Sequence, residues 1–256
     1  MAMKIAIVDF TSYTESIPLV LDSLKASEIF ARQSSILIKP NLVIPSPHPV
    51  TTSLACCEAL VEYIRSCTKA KIVIAEGAGD FSHETDEIFS ILGYDKLAER
   101  HNIKLMDLNS APLKKLENKE CPFLAEMYLP KIAFSHYIIS MPVLKAHSLS
   151  YITGTLKNMI GFAPPKYYSQ GTGGWRKAIF HTNLHQAIID LNQYISPDLS
   201  LMDASVGLSE FHLGGALCDP PIKKIIAGFD PIEVDRKGAE LLGLDWQEIP
   251  YLSRFI

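Results

Sequence analysis

The chain has 256 residues, enough for a real core in one large domain or two small ones, and its composition (48% hydrophobic, 20% charged) is that of an ordinary globular protein. A formal net charge of −4 speaks against a general nucleic-acid binder, and no apolar run approaches the ~18 residues needed to span a bilayer. Five cysteines, an odd number at positions 56, 57, 67, 121 and 218, give no disulfide framework and point to a reduced, cytoplasmic protein.

Strand-like and helix-like runs alternate from the start. KIAIVDF (4–10) reads as a first strand and not a signal peptide, and 16–30 carries helical apolar spacing. SILIKPN (35–41) is a strand, 51–67 a helix with Thr or Ser available as its cap, and KIVIAEG (71–77) a strand again. A helix around 84–99 and a strand at 104–109 complete this half. Short, continuously apolar strands separated by helices indicate a mostly parallel sheet covered by helices on both faces, an α/β class.

The middle is less regular. Residues 110–135, with LKKLE and EMYLPKI, read as a small antiparallel insertion into a single α/β domain spanning 1–256. YIISMPVLK (137–145) is a buried strand, and a helix is expected at about 150–160. The glycine- and aromatic-rich loop that follows is read as a lid over 163–177, with Gly171, Gly173 and Gly174 permitting hinging and Tyr167, Tyr168 and Trp175 supplying covering surface. A helix at 181–195, strands at 199–208 and 223–230, and a helix at 230–243 close the chain. Asp230, Pro231 and Glu233 form an N-capping pattern for that last helix.

Polar clusters follow the apolar strands. Lys39-Pro40-Asn41, Glu76-Gly77-Ala78-Gly79-Asp80, Lys145 with His147, Asp203-Ala204-Ser205 and Gly228-Phe229-Asp230 all sit at expected strand ends. Ligands of open parallel sheets bind beyond the carboxyl ends of the strands, so this edge is the expected site. The glycines after Glu76 match neither a dinucleotide fingerprint nor a phosphate P-loop. Lys39, Lys145, His147, Lys157, Lys166, Arg176, Lys177 and His181 gather cationic groups in these segments of an acidic chain, which suits a phosphate or carboxylate ligand. Glu76, Asp80, Asp203 and Asp235 offer oxygen ligands for a divalent metal, and His181 and His185 share a helix face at metal-ligand spacing.

KPN at 39–41, the TT-initiated helix at 51, EG at 76–77, KAH at 145–147, LKNMIG at 156–161, MDA at 202–204 and GFDPIEVD at 228–235 together resemble the domain-of-unknown-function 362 family. The resemblance implies a cytoplasmic prokaryotic protein. Many members carry an appended ferredoxin-type CxxCxxCxxxCP segment. No two cysteines here have CxxC spacing, so no internal iron–sulfur cluster is expected, and any such redox role would need a separate partner protein.

The residues lead to an enzyme acting on a small anionic metabolite with a divalent metal as a candidate cofactor. Lys39, Lys145 and Lys157 are expected to hold the anion and His147 to act as general acid or base, its pKa lowered by a nearby lysine. Asn41 and Asn158 would orient the ligand, Arg176 and Lys177 would add to the anion site, and Glu76, Asp203 and His181 would hold the metal. The alternative is a non-catalytic binding protein that works with an iron–sulfur or redox partner. Nucleic acid and membrane are not expected partners.

Overall fold

The computed structural model describes residues 5–169 and 176–254. In chain order the first half contains β1 (Ile5–Asp9), α1 (Tyr13–Ser23), α2 (Ala26–Phe30), β2 (Ser35–Pro40), α3 (Leu54–Cys67), β3 (Lys71–Glu76), α4 (Thr85–Ile91), α5 (Tyr94–His101) and β4 (Lys104–Asp107). The helix expected over 16–30 is two helices, because Lys25 adopts a left-handed backbone (φ 55°) between them. Gly93 (φ 82°) breaks the one expected over 84–99 in the same way.

A separate hairpin, β5 (Leu113–Glu117) with β6 (Glu126–Pro130), forms the antiparallel excursion expected at 110–135. The next strand is interrupted at Pro142 into β7 (Tyr137–Met141) and β8 (Val143–His147). Proline lacks the N–H that a continuous ladder requires. β9 (Tyr151–Thr153) folds back on β8 where helix was expected, and only α6 (Thr155–Asn158) and a 3-10 turn (Met159–Phe162) are helical. Then come α7 (Pro165–Tyr168), α8 (Ile179–Thr182), α9 (Leu184–Tyr194), β10 (Leu199–Leu208), β11 (Lys224–Gly228), α10 (Pro231–Leu241) and α11 (Pro250–Ser253).

The sheet runs β1-β11-β10-β7-β2-β3-β4. From β10 to β4 every neighbour is parallel, while β11 is antiparallel to both β10 and β1. β2 shows why this core holds. Ile36 and Ile38 pack into the layer formed with α1, α3 and α5, whereas Leu37 points into the layer that contains α9 and α11, and all three are fully buried. A strand buried on both faces must be apolar at every position. By the same alternation, Lys39 projects on the Leu37 side, toward α6.

The reversal of β11 corrects one expectation. Gly228 pairs with Ser200 at the start of β10, so the Gly228–Asp230 cluster lies at the opposite edge from the other strand ends. Asp230 there is the N-cap of α10, accepting from the amides of Ile232 (3.1 Å) and Glu233 (3.3 Å). Glu233 pairs with Arg236 at 2.8 Å.

Candidate functional site

At the carboxyl ends of β2, β3 and β8 lies a cavity of about 270 Å³, lined among others by Lys39, Asn41, Glu76, Lys145, His147, Lys157, Asn158, Lys177 and His181. Nine residues picked from the sequence thus meet in one place, brought there by three strands, the short helix α6 and the segment that leads through α8. The cavity's polar groups fall into two sets, those already satisfied by the protein and those that are not.

Lys39 and Glu76 form a buried ion pair at 2.7 Å. The ammonium also donates to Asn158 Oδ1 (3.0 Å) and to the Pro40 carbonyl (3.0 Å), so its three protons have three acceptors. Glu76 Oε1 accepts in addition from the Gly77 amide (2.8 Å) and Oε2 from the Leu42 amide (2.8 Å). Asn158 Nδ2 donates to the Lys39 carbonyl (3.1 Å) and Ser140 Oγ (3.0 Å), which locks the end of α6 onto β2 and β7. Burial pushes the Lys39 ammonium below its ordinary range against the pull of Glu76. These three residues brace the floor of the site.

Lys145 is fully buried and donates to Asn41 Oδ1 (2.6 Å) and the Val50 carbonyl (2.6 Å), both neutral acceptors. Burial, then repulsion from Lys157, brings its pKa down to about 7 against the attraction of Glu76. Lys177 donates to the carbonyls of Gly77 (2.6 Å), Gly161 (2.9 Å) and Ile160 (3.3 Å), and burial lowers it to about 7 as well. Lys157 differs from all three. It lines the cavity, burial lowers it to about 8, and its ammonium makes no hydrogen bond or ion pair among the described residues.

His147 is buried, with Nδ1 accepting from the amides of Leu149 (3.1 Å) and Ser150 (3.3 Å). A neutral ring whose Nδ1 lone pair faces N–H donors carries its proton on Nε2, an assignment made from the hydrogen bonds. Burial and the nearby Lys157 push its pKa down to about 2, with His212, His181 and Lys145 acting in the same direction. A pKa this low leaves the imidazole neutral near pH 7, with its Nε2–H available to donate. His212 stacks on it at 4.0 Å between ring centroids and is itself lowered to about 3, by burial and then by Lys157 and Lys145. His212 Nδ1 and the Thr153 hydroxyl are buried and lack hydrogen-bond partners among the described residues, and both residues line the cavity.

The model of a domain of unknown function, DUF362, matches residues 36–240 of the chain. The chain belongs to the DUF362 family. The resemblance carried by the KPN, KAH and LKNMIG segments is thereby borne out. No curated protein matches it in sequence. Its fold is similar to that of the lactate racemase apoprotein from Thermoanaerobacterium thermosaccharolyticum, with a TM-score of 0.59 at 17% identity over 95% of this chain and 57% of that one. It is also similar to a protein from Thermotoga maritima, with a TM-score of 0.50 at 11% identity over 86% of this chain and 58% of that one. This DUF362 chain thus spans well under two thirds of either neighbour, and the likeness is one of fold.

Several residues expected at the site lie outside the cavity lining of this DUF362 chain, among them Asp203, Arg176 and Asp235. Asp203 sits in mid-strand, because β10 continues to Leu208, and faces Tyr13 Oη (2.7 Å) and His48 Nε2 (3.2 Å). Burial opposes ionisation of its carboxyl, but His48 and Ser205 outweigh that and hold it below its ordinary range. Arg176 turns outward into a pair with exposed Glu84 at 2.5 Å. Asp235 is fully buried beneath α6 and accepts from the Thr155 and Leu156 amides. In the lid segment, Tyr167 stacks on Tyr128 at 4.0 Å, and Tyr168 Oη accepts from the Tyr128 amide at 2.8 Å. Gly171, Gly173, Gly174 and Trp175 fall outside the described residues.

Of the expected metal set, Glu76 and His181 line the cavity and Asp203 does not. Glu76, the only carboxylate among the described cavity-lining residues, has both oxygens engaged, and Asp203 is elsewhere. Among the described residues, the metal-capable grouping is Glu58, Glu62 and His101 on α3 and α5, where His101 already pairs with Glu58 at 2.9 Å. A cavity walled by lysines and proton-bearing imidazole does not suit a bare divalent cation.

Sequence reading passed over His212, Phe211 and Thr153. His212 and Phe211 come from the loop after β10, a stretch with no spacing pattern to single them out, and only the stacking on His147 reveals them. Among the described residues no helix is long and apolar enough to cross a membrane.

Proposed function

We propose that this chain binds a small anionic metabolite in the cavity and acts on it by proton transfer, with a lysine and not His147 as the titrating group. The observation that carries this reading is the Lys157 ammonium, alone among the cavity lysines in having no partner among the described residues, beside the Thr153 hydroxyl and His212 Nδ1, unsatisfied on the same terms. A half-buried cation and orphaned polar atoms on one wall are what a bound anion would satisfy. The charge on Lys157 draws the anion in, and the Nε2–H of His147 donates to it. Lys157, lowered to about 8, exchanges a proton near neutral pH as a general base or acid must. Among the described lining residues Glu76 is the only carboxylate and both its oxygens are engaged, so the acid–base work falls to lysine. A lactate racemase shares the fold, and lactate is a small carboxylate, so lactate is the first ligand to try.

Calorimetric titration of the protein with lactate and inorganic phosphate, repeated on Lys157→Met, tests the reading. At least one anion should bind, and the variant should bind it at least about tenfold more weakly, roughly 1.4 kcal/mol. No binding by the wild type, or equal binding by the variant, overturns it. The rival, a non-catalytic accessory to a separate redox or iron–sulfur partner, uses the same cavity and predicts binding without any solvent-proton exchange into the bound ligand.

A further inference from the structure

We infer that Lys157 is a nucleophile that condenses with the carbonyl group of a small oxo acid and holds it as an iminium adduct, a step that builds on the anion-binding reading of the same cavity. Four lysines line this cavity, and their bonding separates them. Lys39 has three acceptors including a carboxylate, Lys145 has two neutral acceptors, and Lys177 has three carbonyls. Lys157 has none. Lysines that serve only as structural charges gather oxygen atoms around them, as the first three do. A lysine meant to react must keep its nitrogen lone pair free.

The mount of Lys157 supports the same role. It sits on α6 between two anchors: Asp235 holds the start of the helix through the Thr155 and Leu156 amides, and Asn158 ties its end to β2 and β7. The groups that face it are Lys145 and the imidazoles of His147, His181 and His212. None of them favours an ammonium, and burial brings Lys157 to about 8, so that half of it is free amine near that pH.

The chemistry balances without an oxidant or reductant. The amine lone pair attacks the carbonyl carbon, a C–N bond forms, and a proton moves from nitrogen to oxygen to give a carbinolamine. The C–O bond then breaks, the oxygen leaves as water with one further proton, and the nitrogen keeps the positive charge of the iminium. The Nε2–H of His147 is the donor placed to hydrogen-bond the departing oxygen. The acid group of the ligand offsets the iminium charge, which selects oxo acids over neutral aldehydes and ketones.

The test uses pyruvate and glyoxylate as probes, with sodium borohydride to reduce any imine, followed by intact-mass and peptide mass spectrometry. One reduced adduct per chain is expected, on Lys157, with labelling about tenfold or more above that of any other lysine and suppressed by lactate. Lys157→Arg keeps the charge and cannot form an imine, so it should lose the adduct. Trapping by the wild type should rise with a midpoint near pH 8, well below the ~10.4 of an ordinary lysine, and this profile stands even where the arginine variant misfolds. Labelling spread evenly over the lysines, or a midpoint at the ordinary value, overturns the imine while intact lactate binding leaves the anion site standing. Loss of both lactate binding and labelling in the wild type overturns the two together.

Discussion

Asp235, on α10, accepts hydrogen bonds from the Thr155 amide at 2.5 Å and the Leu156 amide at 2.9 Å, and so caps a helix 80 residues away in sequence. Gly154 makes the approach feasible, since a Cβ there would strike the Asp235 carboxyl. Because α6 carries Lys157 and Asn158 into the cavity, a fully buried side chain outside the site fixes the site's geometry. Asp235→Ala leaves two buried amides without acceptors and should cost about 2–4 kcal/mol of stability. Urea unfolding should register that loss, and anion affinity measured by calorimetry should fall with it.

The same carboxyl makes stability depend on pH. Burial raises Asp235 from 3.8 to about 7, against the lowering effect of the Thr155 and Leu156 bonds. Between those values the folded state binds a proton that the unfolded state does not, so the contribution of Asp235 is full below about pH 4 and is lost as pH rises through 7. Asp235→Asn removes this titration. The difference in unfolding free energy between wild type and variant should therefore move against the wild type from pH 4.5 to 7.5. A difference that stays flat over that range would mean that the carboxyl is ionised throughout.

Much of the architecture was legible because parallel strands buried on both faces, such as Ile36-Leu37-Ile38, must be apolar at every position. The site edge followed from the polar residues that end those strands, and Lys39, Glu76, Lys145, His147, Lys157 and Lys177 do meet there. Strand direction was not legible. β11 has the same local apolar pattern as the parallel strands of the sheet, and its reversal carried Asp230 to the far edge. Nor could sequence tell a bonded lysine from an unbonded one, since that depends on carbonyls such as Val50, Gly77 and Gly161 contributed by distant segments. The neutrality of His147 likewise comes from its folded surroundings, burial first and then Lys157, while two amides that point at Nδ1 fix its tautomer.

Gly161 lies where backbone packs against the Lys39–Glu76 pair. A Cβ at this position would run into Lys39 Cε and Nζ and Glu76 Oε1. Gly161→Ala should therefore push apart a buried ion pair and destabilise the protein by about 3 kcal/mol or more. The loss should appear in thermal unfolding as a drop of several degrees. Gly214→Ala is the control for a generic glycine effect, because nothing lies within 4 Å of a Cβ there, although its φ of 119° adds its own strain.

Arg176 should matter little. Its pair with Glu84 is at the surface, where the Glu84 side chain is 63% exposed, and such pairs contribute about 0–1 kcal/mol. Arg176→Ala is expected to leave lactate or phosphate affinity within about twofold of the wild type. A tenfold loss would show that Arg176 swings from Glu84 to the ligand.

The buried lysines make the last prediction, with stability and binding running in opposite directions. Burial lowers Lys145 and Lys177 to about 7 and Lys157 to about 8, from 10.5 in each case. Above those values the folded protein has released protons that the unfolded chain still holds, so stability rises with pH from about 7 toward 10.5. Each lysine adds a slope of at most roughly 1.4 kcal/mol per pH unit. Lys145→Met should flatten that rise when its unfolding free energy is compared with the wild type's at pH 6.5 and pH 9.5, since tyrosine and cysteine titrations common to both cancel. Anion affinity should do the reverse. The charge that attracts the ligand is present below pH 7 and lost above pH 8, so calorimetric affinity for lactate or phosphate should drop at least about tenfold between pH 6.5 and pH 9.5. Lys157→Arg, charged throughout, should remove most of that drop. An affinity that is level with pH in the wild type would place the anion somewhere other than against Lys157.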